Sequence, residues 1–155
     1  MGIEIERKFL LASDAWRREV SESRRLVQGY LMRGTDTAIR VRIQGRTAML
    51  NVKHTNDGIN RLEYEYEIPL GDAHELLERV ALRPLIDKTR HHVREGDHLW
   101  EIDEFHGENA GLVIAEIELA HADEAFNKPA WLGEEVSADV RYYNSSLSER
   151  PYSQW

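Results

Sequence analysis

The chain has no cysteine among its 155 residues, which excludes both disulfides and thiolate metal centres. It has no apolar stretch near the roughly 20 residues that a membrane-spanning helix needs. The first ten residues hold Glu4, Glu6, Arg7 and Lys8, so they form no signal-peptide apolar region. These features lead us to expect a soluble, cytoplasmic protein with no membrane partner. Repeats, low-complexity tracts and linker compositions are also missing, and residues 1–155 read as a single domain. There is no phosphate-binding glycine loop of the Walker type, no serine elbow and no zinc-ligand spacing. Positive charge is in deficit: 20 Lys and Arg stand against 28 Asp and Glu, a formal net charge of −8. That balance argues against a nucleic acid duplex as partner.

What the chain does have is period-two alternation of apolar and polar residues. Strands are expected near Ile3–Leu11, Arg25–Arg33, Thr37–Gln44, Arg46–His54, Asn60–Pro69, Leu85–Glu95, His98–His106 and Gly111–Ala120. Turn chemistry separates them, as at Gln44-Gly45, Asn56-Asp57-Gly58 and Glu95-Gly96-Asp97. Helices are expected over Asp14–Val20 after Ser13, over Ala73–Ala81 after Asp72, and near Ser145–Glu149. In the second, Leu76, Leu77 and Val80 read as one apolar stripe. The fold class is mainly β (α+β): a closed eight-stranded antiparallel β-barrel, or tunnel, with a few flanking helices.

The polar faces of these strands are unusually pure. Ile39, Val41 and Ile43 oppose Arg40 and Arg42; Tyr64 and Tyr66 oppose Glu63 and Glu65; Ala115 and Ile117 oppose Glu116 and Glu118. Charged faces ordinarily meet water. Here, however, the signs are sorted by strand, whereas solvated faces mix signs to limit repulsion. The opposite faces also carry Trp100 and many aliphatics, the surface on which helices would pack. The expected barrel is therefore turned inside out, with its charges in the lumen. Glu4, Glu6, Glu63, Glu65, Glu101, Asp103, Glu116 and Glu118 would face Lys8, Arg40, Arg42, Lys53, Lys88 and Arg90 there. Enclosed charges must be paired, solvated or bound to ions. A polyanion carrying a divalent metal satisfies both sets: carboxylates suit Mg²⁺ or Mn²⁺, and arginines make bidentate bonds to phosphate.

The string Glu4-Ile5-Glu6-Arg7-Lys8 resembles the ExExK signature of the CYTH superfamily, the triphosphate tunnel metalloenzymes. Gln28-Gly29-Tyr30-Leu31, Arg40-Val41-Arg42, Lys53, Glu63-Tyr64-Glu65, Lys88-Thr89-Arg90, Trp100-Glu101-Ile102-Asp103 and Glu116-Ile117-Glu118 resemble its successive strands. Asp139–Asn144 is similar to its C-terminal segment. The resemblance implies an eight-stranded tunnel that acts on triphosphates with Mg²⁺ or Mn²⁺. A chain this short looks most like the inorganic tripolyphosphatases. The alternatives are an adenylate cyclase, a nucleoside or thiamine triphosphatase, or a non-catalytic polyphosphate binder.

By the same resemblance Glu4, Glu6 and Glu118 would hold a first metal with support from Glu116, and Glu63 and Glu65 a second. Glu101 and Asp103 would orient the arginines or reach metal through water. Lys8, Arg40, Arg42, Lys53, Lys88 and Arg90 would grip a small polyanionic substrate, tripolyphosphate or a triphosphate group. A homodimer through the apolar outer wall is a further expectation. The histidines suggest no metal site: His91 and His92 are adjacent on a strand and point to opposite faces.

Overall fold

The computed structural model describes residues 5–55 and 61–155. Among them are nine strands: β1 (Ile5–Leu11), β2 (Val20–Arg33), β3 (Thr37–Gln44), β4 (Thr47–Thr55), β5 (Arg61–Ile68), β6 (Ile86–Glu95), β7 (His98–Phe105), β8 (Val113–Leu119) and β9 (Leu132–Glu135). They form one sheet in the order β5-β4-β3-β2-β6-β7-β8-β1-β9, and each ladder is antiparallel. Tight turns join β3 to β4 and β6 to β7. Gly45 and Gly96 each sit at φ 61° as the first turn residue, the position a type II′ hairpin reserves for glycine.

Alternation assigns the two faces. Outward residues Phe9, Val93, Trp100, Ile102, Ala115 and Ile117 bury themselves against Trp16 and Trp131 from the connecting segments. The Trp100 ring meets Trp131 edge-on at 5.7 Å and Phe9 at 5.6 Å. Farther round the sheet, Val41, Ile43 and Ala48 pack under Ala73 and Leu77 of α1 (Leu70–Arg79). The apolar face is therefore the covered outer wall. On the inner face charges give way at one end to an apolar floor. Ile86, Phe105 and Ile114 pack there with Val136, Tyr142 and Leu147 of the C-terminal segment.

The sheet curls strongly. β1 and β4 are separated by five strands in the pairing order, yet Lys8 of β1 and Lys53 of β4 line one cavity. Among the described residues no ladder joins β5 to β1 or β9, so the enclosure comes from curl and the C-terminal segment rather than a continuous hydrogen-bonded ring.

Several boundaries differ from expectation. β2 begins at Val20, not Arg25, because the mostly polar run Val20–Arg24 pairs with Arg90–Val93 of β6 through a register shift between Val20 and Glu22. β9 is an unanticipated ninth strand. It is four residues long and is fixed to β1 by the Arg7–Glu135 ion pair. The first helix is a short 3₁₀ turn, Ala15–Glu19. α1 starts at Leu70 behind Pro69, which leaves Asp72 inside the first turn and not at the cap, where its charge still suits the helix dipole. Val80 leaves the apolar stripe, and Ala81 packs in its place. The last helix, α2, spans Asn144–Leu147. The Asn56–Gly58 turn, Asn60 and the start of the first strand lie outside the described residues.

Gly29 permits the close approach of α1 to β2. A Cβ there would stand 2.7 Å from Leu85 Cδ2, 2.9 Å from Ala81 Cβ and 3.0 Å from Leu77 Cδ2. Gly29→Val should lower stability by about 1–3 kcal/mol through overpacking. Urea denaturation checks this, and an unchanged midpoint would contradict the packing described.

Candidate active site

The inner face is built by the residues that alternate with the buried apolar ones. From β1, β8, β7 and β6 come Glu6, Lys8, Glu116, Glu118, Glu101, Asp103, Lys88 and Arg90. From β3, β4 and β5 come Arg40, Arg42, Lys53, Glu63 and Glu65. The two groups behave differently.

The first group forms a wall of ions already matched to one another. Asp103, 0% exposed, accepts from Lys88 Nζ at 2.8 Å and from Arg90 through both Nε and Nη2, at 2.8 and 2.9 Å. Arg90 also donates to Glu101 at 3.2 Å and lies 3.7 Å from Glu116. Lys8 Nζ donates to Glu116 at 2.6 Å and sits 3.3 Å from Glu6. Burial opposes the Asp103 charge, but Lys88 and Arg90 outweigh it and hold the carboxyl well below the usual range. Burial also works against Lys8, where Glu116 and Glu6 prevail and raise the ammonium. Burial and then the charge of Glu116 raise the Glu6 carboxyl.

In the second group, Arg40 and Arg42 have no hydrogen-bonded carboxylate among the described residues. Arg42 Nε donates to the neutral Gln28 at 3.0 Å. Burial first, then Arg40 and Arg90, push the Arg42 guanidinium down to about 10. Buried Arg40 Nε, Gln28 Nε2 and Asn51 Oδ1 have no hydrogen-bond partner among the described residues. Since buried polar groups are normally satisfied, two donors here await an acceptor-rich ligand.

A cavity of about 600 Å³ opens beside these walls, bounded by Glu6, Lys8, Lys53 and the turn after β2, with Tyr143 and Asn144 opposite. The C-terminal segment is tied across it. Lys8 N donates to Ser137 Oγ at 2.9 Å, Lys88 Nζ to Asn144 Oδ1 at 3.1 Å, and Arg33 to Ser148 Oγ at 2.6 Å. Tyr143 lies beneath Lys8 Nζ, 5.7 Å from its ring centre, while Tyr142 joins the apolar floor.

Lys8, Lys88, Arg90, Asp103 and Glu116 come together in one network, and Arg40 and Arg42 share the neighbouring wall. Lys53 lies 3.8 Å from Glu63 at the open edge. Glu65 is exposed on β5. Glu118 pairs in register with Glu6 at the strand ends. Glu4 lies outside the described residues.

Among the described residues no three His, Asp or Glu side chains converge at metal distance. Lys8 Nζ stands instead between Glu6 and Glu116. The donor set nevertheless fits a hard divalent cation, being all carboxylate, and crowding by Glu116 already strains the Glu6 charge. The contacts of Asn144 with Lys88 and of Arg33 with Ser148 carry no sequence signal, because the C-terminal segment has no periodicity. Gln28 could have been found from its place on the inner face of β2.

A family model for the CYTH domain matches residues 2–152. An inorganic triphosphatase of Acetivibrio thermocellus is 47% identical over 152 residues, covering 98% of this chain and 97% of the relative. An inorganic triphosphatase of Nitrosomonas europaea is 37% identical, covering 94% and 96%. The solved inorganic triphosphatase NE1496 superposes with a TM-score of 0.74 at 36% identity, over 96% of this chain and 95% of its own. The curled sheet, its inward charges and a match over nearly the whole length agree, and the chain belongs to the CYTH domain family.

Proposed function

We propose that this protein hydrolyses inorganic tripolyphosphate to pyrophosphate and phosphate, with Mg²⁺ or Mn²⁺. The observation that carries this reading is the pair Arg40 and Arg42, which among the described residues have no hydrogen-bonded carboxylate and which share the inner face with a wall of carboxylates. An acceptor-rich polyanion satisfies the arginines, and divalent cations satisfy the acids. The kinship with two inorganic triphosphatases supports the same substrate.

In this reading Arg40, Arg42 and Lys53 bind the phosphate oxygens, with Lys8 at the cavity wall. They align the chain and stabilise the charge that grows as the P–O–P bridge breaks. Water supplies the oxygen of the new P–O bond, and the departing phosphate oxygen keeps the bridge electrons. Lys88 and Arg90 act mainly through the field they create, since Asp103 already holds both. Asp103 thus serves as an orienting anion. Glu6, Glu116 and Glu118, with Glu4, would hold one cation, and Glu63 with Glu65 a second. When bound, these ions supply positive charge against the phosphate oxygens. The C-terminal segment and the apolar floor keep bulk water from the reacting phosphates.

Glu6→Gln should lower kcat for tripolyphosphate by more than roughly a hundredfold while leaving the circular dichroism spectrum unchanged. Full activity in that variant would remove Glu6 from the cation site. The function itself is tested by phosphate release from tripolyphosphate, pyrophosphate and ATP in parallel, with Mg²⁺ and with excess chelator. Rapid release from tripolyphosphate alone, abolished by the chelator, is expected. Conversion of ATP to pyrophosphate and a cyclic nucleotide, with no release from tripolyphosphate, would contradict it.

A further inference from the structure

One cation of the cavity lies outside the alternating pattern of its strand. Gln28 and Tyr30 face inward from β2, and strict alternation would continue with Met32. The ladder to β3 breaks that phase. Tyr30 pairs with Arg40 and Met32 with Ile39, so Leu31 is an extra residue in a bulge. Leu31 then packs on the outer cluster beneath α1, and Met32 is exposed. Arg33 is turned inward and lines the cavity together with Tyr30.

The bulge also sets what stands opposite. Arg33 pairs with Ala38, and Ala38 pairs with Lys53. All three line the cavity. Two cations therefore flank one methyl group, with their backbones about 9–10 Å apart across two strand spacings. Ala38 is two residues from Arg40 along β3, so this row extends the wall that holds Arg40 and Arg42.

Arg33 is fixed in place, yet its charge is only loosely countered. Its Nη1 donates to Ser148 Oγ at 2.6 Å, and buried Ser148 donates in turn to Ser145 O at 2.7 Å. The guanidinium lies 6.0 Å from the Tyr30 ring centre. Its carboxylate neighbour is Glu149, 3.5 Å from Nε, whose side chain is 65% exposed. An ion pair this open to water contributes little. A phosphate carries more charge and matches the guanidinium fork, so it competes well with Glu149.

We infer that Arg33 is a further substrate-binding residue, which grips the phosphate nearest the C-terminal segment across Ala38 from Lys53. The inference rests on the triphosphatase reading. Glu149 is the resting partner of Arg33 and gives way when the polyanion enters. A contact made equally before and during bond cleavage acts on KM and leaves kcat unchanged.

The test is KM and kcat for tripolyphosphate at saturating Mg²⁺, with the thermal transition, for the wild type, Arg33→Gln, Glu149→Gln and Ala38→Val. Arg33→Gln should raise KM about tenfold, the scale of one charge-assisted hydrogen bond, with kcat within about twofold of wild type. Glu149→Gln removes the competitor and should lower KM. Ala38→Val fills the space between the two cations without altering either charge, and should raise KM even if Arg33→Gln fails to fold. If Arg33 only ties down the C-terminal segment, Glu149→Gln should instead raise KM in step with Arg33→Gln, and that result would overturn the inference. So would an unchanged KM in folded Arg33→Gln, or in Ala38→Val, with wild-type turnover intact. Absence of tripolyphosphate turnover in the wild type would overturn the triphosphatase reading itself, and this inference with it.

Discussion

The buried cluster Lys88–Asp103–Arg90 is the constraint around which this fold is arranged. Asp103 and Lys88 are 0% and 1% exposed, and an enclosed charge that loses its partner costs about 3–5 kcal/mol. A carboxylate this deep persists because two cations from the neighbouring strand reach it at 2.8–2.9 Å. That register exists because β6 and β7 are a tight hairpin pinned by Gly96. With the ions committed inward, the alternating apolar residues of the same strands must be buried outward. Trp16, Trp131 and α1 are the covers that the outward face requires.

The interior then divides its labour. Where acids and bases already satisfy each other, around Asp103 and Glu116, the site is preorganised and little charge is left to meet a ligand. Where they do not, at Arg40 and Arg42, the protein keeps positive charge under strain, and the depressed Arg42 guanidinium expresses it. Glu6 with Glu118 near the strand ends, and Glu63 with Glu65 along β5, are the more solvated carboxylates of the inner face.

Much of this was legible in the sequence. Strict alternation in β1, β3, β7 and β8 specified which residues share a face, and the sorting of sign by strand turned that face inward. The polar start of β2 was not legible. Val20-Ser21-Glu22-Ser23-Arg24 carries one apolar residue, and its pairing with β6 is made by backbone and by Glu22 and Ser23 against the paired histidines. β9 escaped because four residues give too short a period to detect, and its anchor Arg7–Glu135 spans 128 positions. Asn144 and Arg33 belong to contacts between a non-periodic tail and a strand end, which no local pattern encodes. The partners of Lys88 also needed coordinates, since sequence does not show that its ammonium donates to Asp103 and Asn144.

The proposed substrate site stands on Arg40 and Arg42 as its anion-receiving wall. The most direct measurement is the dissociation constant for tripolyphosphate by calorimetry, with Mg²⁺ present, for the wild type and the Arg40→Gln/Arg42→Gln double variant. Two charge-assisted phosphate contacts predict a loss of at least about a hundredfold in affinity with the thermal transition retained. Undiminished affinity in a folded double variant would contradict the claim and place the polyanion elsewhere on the molecule.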